Sequence, residues 1–244
     1  MGRFRFKSAS IMYYYRLISS MLKAVISSLG TGLYAVYKAE SNANDSLGNY
    51  NGTPEGGLTY TAGKSGNAFT FNGTDADIDL ISGFQFTGNF SVNFWSYVVN
   101  TGQLQALVGN YNRTGTTRSG FMVANFGTTN VYIGTNVSGS PIVLSETSTI
   151  TYSSWFMTTV TRESGTATKI YRDGVLQNSN TDVNNPAYSG SNRPYLGVYT
   201  ADGAKTNFAG SGTKIDEVGV WNKVLTATEV TELYNAAAGK FYPY

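Results

Sequence analysis

An all-β body, a sandwich or a barrel, is the fold the sequence predicts, with a short helix near its end and a helical arm at its start. Composition is the first reason: 28 Gly, 18 Tyr and 13 Phe accompany only 13% charged residues. Many short strands joined by Gly/Asn turns suit such a chain. Period-two alternation is the second, clearest over residues 90–98, where Phe90, Val92, Phe94 and Val98 face one way. The third is the closing stretch Lys214–Trp221, β-branched and aromatic, which stops and becomes a helix. At 244 residues the chain suffices for one domain with a sizeable core, or one domain plus an appendage.

Absences narrow the chemistry. With no cysteine, disulfides and thiolate metal sites are excluded. With no histidine, Ser-His and Cys-His nucleophiles, the usual zinc sites and His proton shuttles go too. Charge is uneven. Residues 1–30 carry five bases (Arg3, Arg5, Lys7, Arg16, Lys23) and no acid, whereas the remainder holds twelve bases against fifteen acids. The net +2 thus hides a basic arm on a mildly acidic body. That body has no basic stripe, so nucleic acid is not an expected partner.

In chain order, the arm comes first. Ile11, Tyr14, Tyr15, Ile18, Met21, Leu22, Val25 and Leu29 recur at helical spacing, with Arg16 and Lys23 opposite. Lys23 splits the apolar run, which argues against a transmembrane span and against a secretory leader. Gly30-Thr31-Gly32 reads as a hinge, placing the arm at 1–30 and the body at 31–244. Strands are expected at 33–39, 68–71, 78–81, 90–98, 104–108, 120–124, 131–133, 142–144, 155–161, 195–199 and 214–221. Asp173-Gly174 is a two-residue hairpin turn within 169–177. The Asn/Asp/Gly cluster at 42–53 forms an ordered loop, 56–66 another, and 110–118 an exposed basic loop. Thr226-x-x-Glu229 is a capping box, Leu225 and Val230 a hydrophobic staple, and Val230, Leu233, Tyr234 and Ala237 one apolar helix face. Trp95, Trp155 and Trp221 are expected in the core.

Several of these blocks together resemble a known family. Tyr34-x-x-Tyr37 with Asn42-Ala43-Asn44-Asp45-Ser46-x-Gly48-Asn49, and Gly66-Asn67-Ala68-x-x-Phe71-Asn72-Gly73, are similar to the opening of a laminin-G-like domain of the concanavalin A-like lectin/glucanase superfamily. Phe90-Ser91-Val92-x-Phe94-Trp95, Trp155 with Ile170-Tyr171-Arg172-Asp173-Gly174, and Ile215-Asp216-Glu217-Val218 through Leu233-Tyr234-Asn235 resemble its later blocks. The resemblance spans about residues 31–237. It implies a jelly-roll sandwich of two antiparallel sheets whose first and last strands pair near one edge. It leaves function open, because the superfamily hosts lectins, adhesins and hydrolases.

Glycoside hydrolysis needs two carboxylates flanking one bond, about 5 to 10 Å apart. Asp216 and Glu217 are adjacent on a strand and would point to opposite faces unless a bulge intervenes. Asp75 and Asp77 share a face but sit at a loop edge, where solvated acids are ordinary. The Glu-x-Asp-x-x-Glu motif of the glucanase members is missing, so no enzyme is expected. The resemblance also implies one structural calcium ion. Asp45, the Gly48 carbonyl and Asp216 would supply its hard oxygens; alternatively, Asp45 caps its own loop and Asp216 bonds backbone amides. For a glycan, Tyr111, Asn112, Arg113, Arg118 and Tyr132 are the candidates, being loop-borne or near strand ends.

A laminin-G-like body without a clear export signal fits a non-enzymatic phage virion appendage, in a head or tail position, displaying a lectin-like domain outward on the virion surface. Residues 1–30 would attach it to other assembly proteins or to copies of itself, because a lone amphipathic helix of that length needs a partner. The alternatives are a secreted or cell-surface bacterial lectin and, less favoured, a glycan hydrolase.

Overall fold

The computed structural model describes Met12 and residues 28–80, 86–138, 140–181, 186–188 and 192–244. The predicted amphipathic arm thus falls outside the described residues, apart from Met12 and its last three positions. The body is a sandwich of two curled sheets. Across the first run Val175–Asn180, Ala167–Arg172, Trp155–Glu163, Phe90–Tyr97, Lys214–Trp221, Asn67–Thr70 and Thr59–Ala62. The first strand, Leu33–Tyr37, also pairs with Lys214–Trp221. The first and last strands therefore do pair, and over Val218–Trp221 the first is the outer strand of its sheet among the described residues, flanked only by an isolated bridge from Tyr37 to Asp45.

Across the second sheet run Ala204–Thr206, Tyr199–Ala201, Asn112–Thr114, Thr117–Phe126, Gln105–Gly109, Tyr195–Leu196, Asp77–Asp79 and Thr53–Glu55. Thr128–Ser138 lies against Thr117–Phe126 and in turn carries Ile142–Ser145. Among the described strand pairs, Tyr199–Ala201 with Asn112–Thr114 is the parallel one. The remaining ladders are antiparallel, as expected for a jelly roll.

Alternation builds the core. Val92, Phe94, Ile215, Val218 and Val220 of the first sheet meet Leu107, Phe121, Val123, Val131 and Ile133 of the second. Phe86, Phe90 and Phe121 lock one end with ring centroids 4.9–5.3 Å apart. A separate cluster sits on the outer side of the first sheet, where Ala227–Tyr234 docks. Trp95, Met157, Tyr171 and Trp221 meet Leu225, Val230 and Leu233 there. Trp95 and Trp221 are buried as expected, whereas Trp155 is half-buried at the margin.

The capping box is formed. Thr226 Oγ1 accepts from Glu229 N at 3.2 Å, and Glu229 Oε2 accepts from Thr226 N at 2.8 Å. Glu229 also accepts from Ser28 Oγ at 2.6 Å, and Lys223 donates to it as well. Burial alone would raise its pKa, but the bonds from Lys223, Ser28 and Thr226 outweigh burial and hold it at about 2.

Two expectations are corrected here. Gly30-Thr31-Gly32 is not a free hinge. Leu29 is fully buried in the helix-side cluster, and Trp221 Nε1 donates to its carbonyl at 2.6 Å. Asn222 N bonds Gly32 O at 2.8 Å, and Lys223 Nζ bonds Ser28 O at 2.8 Å. The folded body thus includes residues 28–30. Likewise 110–118 is no exposed loop: Asn112–Thr114 pairs with Thr117–Phe126 as a tight hairpin, and Asn110 and Asn112 are buried. The polar run hid a strand because its apolar alternation is missing. Thr53–Glu55 and Ala204–Thr206 are too short to show alternation, and Thr59–Ala62 alternates but lies between the glycines of what reads as one loop over 56–66.

Leu233→Ala and Leu29→Ala each remove a fully packed side chain, and each should cost about 2–5 kcal/mol in denaturant unfolding. Deleting residues 1–27 leaves both Leu29 and the Ser28 bonds in place and should leave the melting transition intact. Extending the deletion through Leu29 should lower it.

Candidate functional site

The acidic pair lies on a bulge. The register between Lys214–Trp221 and Phe90–Tyr97 shifts between Asp216 and Gly219, and Glu217 sits at φ 49°. The bulge is the exception that the alternation of a regular strand allows for, and both side chains are buried. Asp216 Oδ2 accepts from Lys64 N at 2.8 Å and Ser65 N at 3.0 Å, and its Oδ1 accepts from Glu217 N at 2.8 Å. The hairpin turn presses so close that a Cβ at Gly63 would lie 2.5 Å from Asp216 Oδ2. Burial raises Asp216 to about 7. Burial, reinforced by the charge of Asp216, raises Glu217 to about 8. Sealed under this turn, the two carboxylates do not flank an open cleft as a glycosidase pair must.

The second pair is also structural. Asp75 is exposed and bonded to Asn72, whereas Asp77 is fully buried, not a solvated acid. Both Asp77 oxygens accept from Lys205 Nζ at 2.8 Å, and Lys205 also reaches Glu55 at 2.6 Å.

The expected calcium ligands are not assembled. Asp45 Oδ1 accepts from Val36 N and Leu47 N, and its Oδ2 from Asn49 N and Tyr50 N. That is the loop-capping use of the residue. Leu33–Tyr37 bonds Asp45 along one edge and Lys214–Trp221 along the other, so the strand separates Asp45 from Asp216. Backbone amides occupy both carboxylates, four on Asp45 and three on Asp216, which is the structural use of each residue. Among the described residues, no group of three or more acidic side chains is arranged to hold a metal.

The glycan candidates do converge. The outward face of the second sheet carries small residues, Ala106 and Ala124, beside Met122 and Tyr111. Around them lies a cleft of about 220 Å³ lined by Leu104, Tyr111, Arg113, Arg118, Met122, Tyr132, Pro141 and Tyr199. Tyr111 is buried at its base and meets Tyr132 and Tyr199 edge-on, with centroids at 6.3 and 5.6 Å. Tyr132 and Tyr199 are half-exposed. Burial pushes the Tyr111 and Tyr132 phenols upward, so both stay neutral.

Asn112, by contrast, does not line this cleft. Its Oδ1 accepts from Thr200 Oγ1 at 2.9 Å and its Nδ2 donates to Thr114 Oγ1 at 3.3 Å, which ties the parallel strand in place. Tyr199, Leu104, Met122 and Pro141 were not anticipated; Tyr199 arrives through that parallel pairing, which leaves no local sequence signal. Leu104 also borders a second groove of about 470 Å³ containing Gln103, Thr206, Asn207, Phe208 and Ser211.

A family model of the concanavalin A-like lectin/glucanase superfamily matches residues 71–231. Domain 4 of AbnA, a GH43 extracellular arabinanase from Geobacillus stearothermophilus, solved with arabinotriose, is similar at TM-score 0.62 and 24% identity. The match covers 82% of this chain and 97% of that domain. The binding domain of Paraclostridial Mosquitocidal Protein 1 gives TM-score 0.68 and 17% identity over 86% of this chain and 53% of the other. The binding domain of Botulinum Neurotoxin DC, solved with SialylT, gives 0.66 and 14% over 86% and 52%. The chain thus spans about half of each toxin domain, and likenesses this distant speak to fold alone. No curated protein matches the sequence.

Two tests follow from the acidic residues. Raised carboxylate pKa values mean that the folded state holds protons the unfolded chain has released, so stability falls as pH climbs from about 4.5 to 8. Glu217→Gln should flatten that decline in melting temperature against pH. EDTA should leave the melting temperature unchanged, and a drop of several degrees would show a cation held by other oxygens.

Proposed function

The chain belongs to the concanavalin A-like lectin/glucanase superfamily, and from that premise we propose that it is a non-enzymatic carbohydrate-binding adhesion module. The observation that carries this reading is the convergence of Tyr111, Tyr132, Tyr199, Arg113 and Arg118 on one cleft. Half-exposed tyrosine rings offer an apolar surface to the C–H face of a sugar, and their hydroxyls can pair with its polar edge. The cleft accepts one sugar ring, and the groove beyond Leu104 gives a neighbouring ring a path. Saccharide-bound neighbours, the arabinanase domain with arabinotriose and the neurotoxin domain with SialylT, support the same ligand class.

The wider setting is part of the proposal. We read the body as a virion-surface appendage of a phage head or tail, with residues 1–27 joining it to neighbouring subunits of the assembly. The arm is basic and amphipathic, and the body closes its own core with Leu29 in place, which supports an arm spent on another protein. A secreted or cell-surface lectin is the second reading; among the described residues no helix is long and apolar enough to cross a membrane. Mass spectrometry of the mature N-terminus separates the two: an intact start favours the virion, cleavage near Gly30 favours secretion.

On a glycan array, the full chain should bind selected saccharides. Tyr132→Ala and Tyr199→Ala should each weaken that binding by about fivefold to tenfold, in keeping with about 1–1.5 kcal/mol per aromatic contact. Full retention of binding in both variants would remove the cleft from consideration.

A further inference from the structure

Arg113 and Arg118 stand directly opposite each other in the register of the Asn112–Thr114 and Thr117–Phe126 hairpin, and both line the tyrosine cleft. Like charges in that cross-strand relation destabilise a hairpin, so the fold keeps this pair at a cost. Each guanidinium is pinned on one side. Arg118 Nη1 donates to Gly115 O at 2.9 Å and Thr117 O at 3.2 Å, leaving its Nε and Nη2 without hydrogen bonds among the described residues. Arg113 Nη2 pairs with Asp202 at 3.1 Å, while its Nε is buried with no hydrogen-bond partner. Asp202 is otherwise committed to Gly115 N at 2.6 Å and lies outside the cleft lining. The lining itself has two arginines, three tyrosines and no acid.

We propose that the cleft selects an acidic saccharide, one whose carboxylate or sulfate ester sits between Arg113 and Arg118 while its ring lies on Tyr132 and Tyr199. This rests on the carbohydrate reading of the same cleft. Guanidinium forks match oxyanions in shape, and an oxyanion between the two takes up Arg118 N–H groups that bond nothing among the described residues and offsets the repulsion. Anchoring to Gly115, Thr117 and Asp202 fixes the donors before the ligand arrives, so little side-chain freedom is lost on binding.

The test is calorimetric titration of the full chain with a glucuronate-terminated oligosaccharide, a sulfated counterpart, the neutral glucose-terminated counterpart and sodium sulfate. Acidic saccharides should bind about tenfold or more tightly than the neutral one at low salt, and the advantage should shrink as sodium chloride rises, because exposed charges are screened. The two acidic probes distinguish carboxylate from sulfate recognition. Arg118→Gln and Arg113→Gln should each weaken the acidic probes more than the neutral one, so that the ratio of the two affinities falls toward one. Equal affinity for neutral and acidic probes, lost in Tyr132→Ala, overturns the acidic selectivity and leaves the carbohydrate site standing. Binding of sodium sulfate alone, or of no saccharide at all, overturns both.

Discussion

The structure depends on the closing strand Lys214–Trp221 being hydrogen-bonded along both edges. On one side it holds the central strand Phe90–Tyr97. On the other it holds Asn67–Thr70 at Lys214 and Ile215, then Leu33–Tyr37 from Val218 to Trp221. The bulge at Glu217 is the join between those two partners, and it buries Asp216 against the amides of Lys64 and Ser65. At its far end Trp221 reaches the carbonyl of Leu29, and the capping box starts the helix that covers the outer face. A chain in which this strand slipped by one residue would turn Ile215 and Val220 out of the core. Start, middle and end of the chain are therefore fixed in one place.

Much of that frame was readable in advance. Lys214–Trp221 was bounded correctly, and the capping box and the Leu225–Val230 staple are local rules that the fold obeys. Phe90–Tyr97 announced itself through strict alternation. What escaped were features set by tertiary context. The bulge at Glu217 is invisible because Ile215-Asp216-Glu217-Val218 reads as unbroken strand. Asp77 looked solvated because its cation, Lys205, lies far along the chain. Gly30-Thr31-Gly32 looked free because nothing local tells that Trp221 will bond Leu29.

The candidate site divides the same way. Tyr111, Arg113, Arg118 and Tyr132 lie close enough in sequence for one hairpin and its neighbour to bring them together. Asn112 alternates away from them, a consequence of the strand that the polar run concealed. Tyr199 enters through the parallel pair, which no local pattern encodes. The inner face of the same strands supplies Phe121, Val123, Val131 and Ile133 to the core. One alternation thus builds the sandwich on one side and leaves a shallow aromatic recess on the other.

The central claim is that this recess, and not a rim loop or the sealed acidic pair, is where a ligand sits. A crystal structure of the full chain soaked with an acidic oligosaccharide tests it most directly. The account predicts a sugar ring against Tyr132 and Tyr199, with an oxyanion within hydrogen-bonding distance of Arg113 or Arg118. Ordered sugar elsewhere on the body, with the tyrosine cleft filled by water, would contradict it.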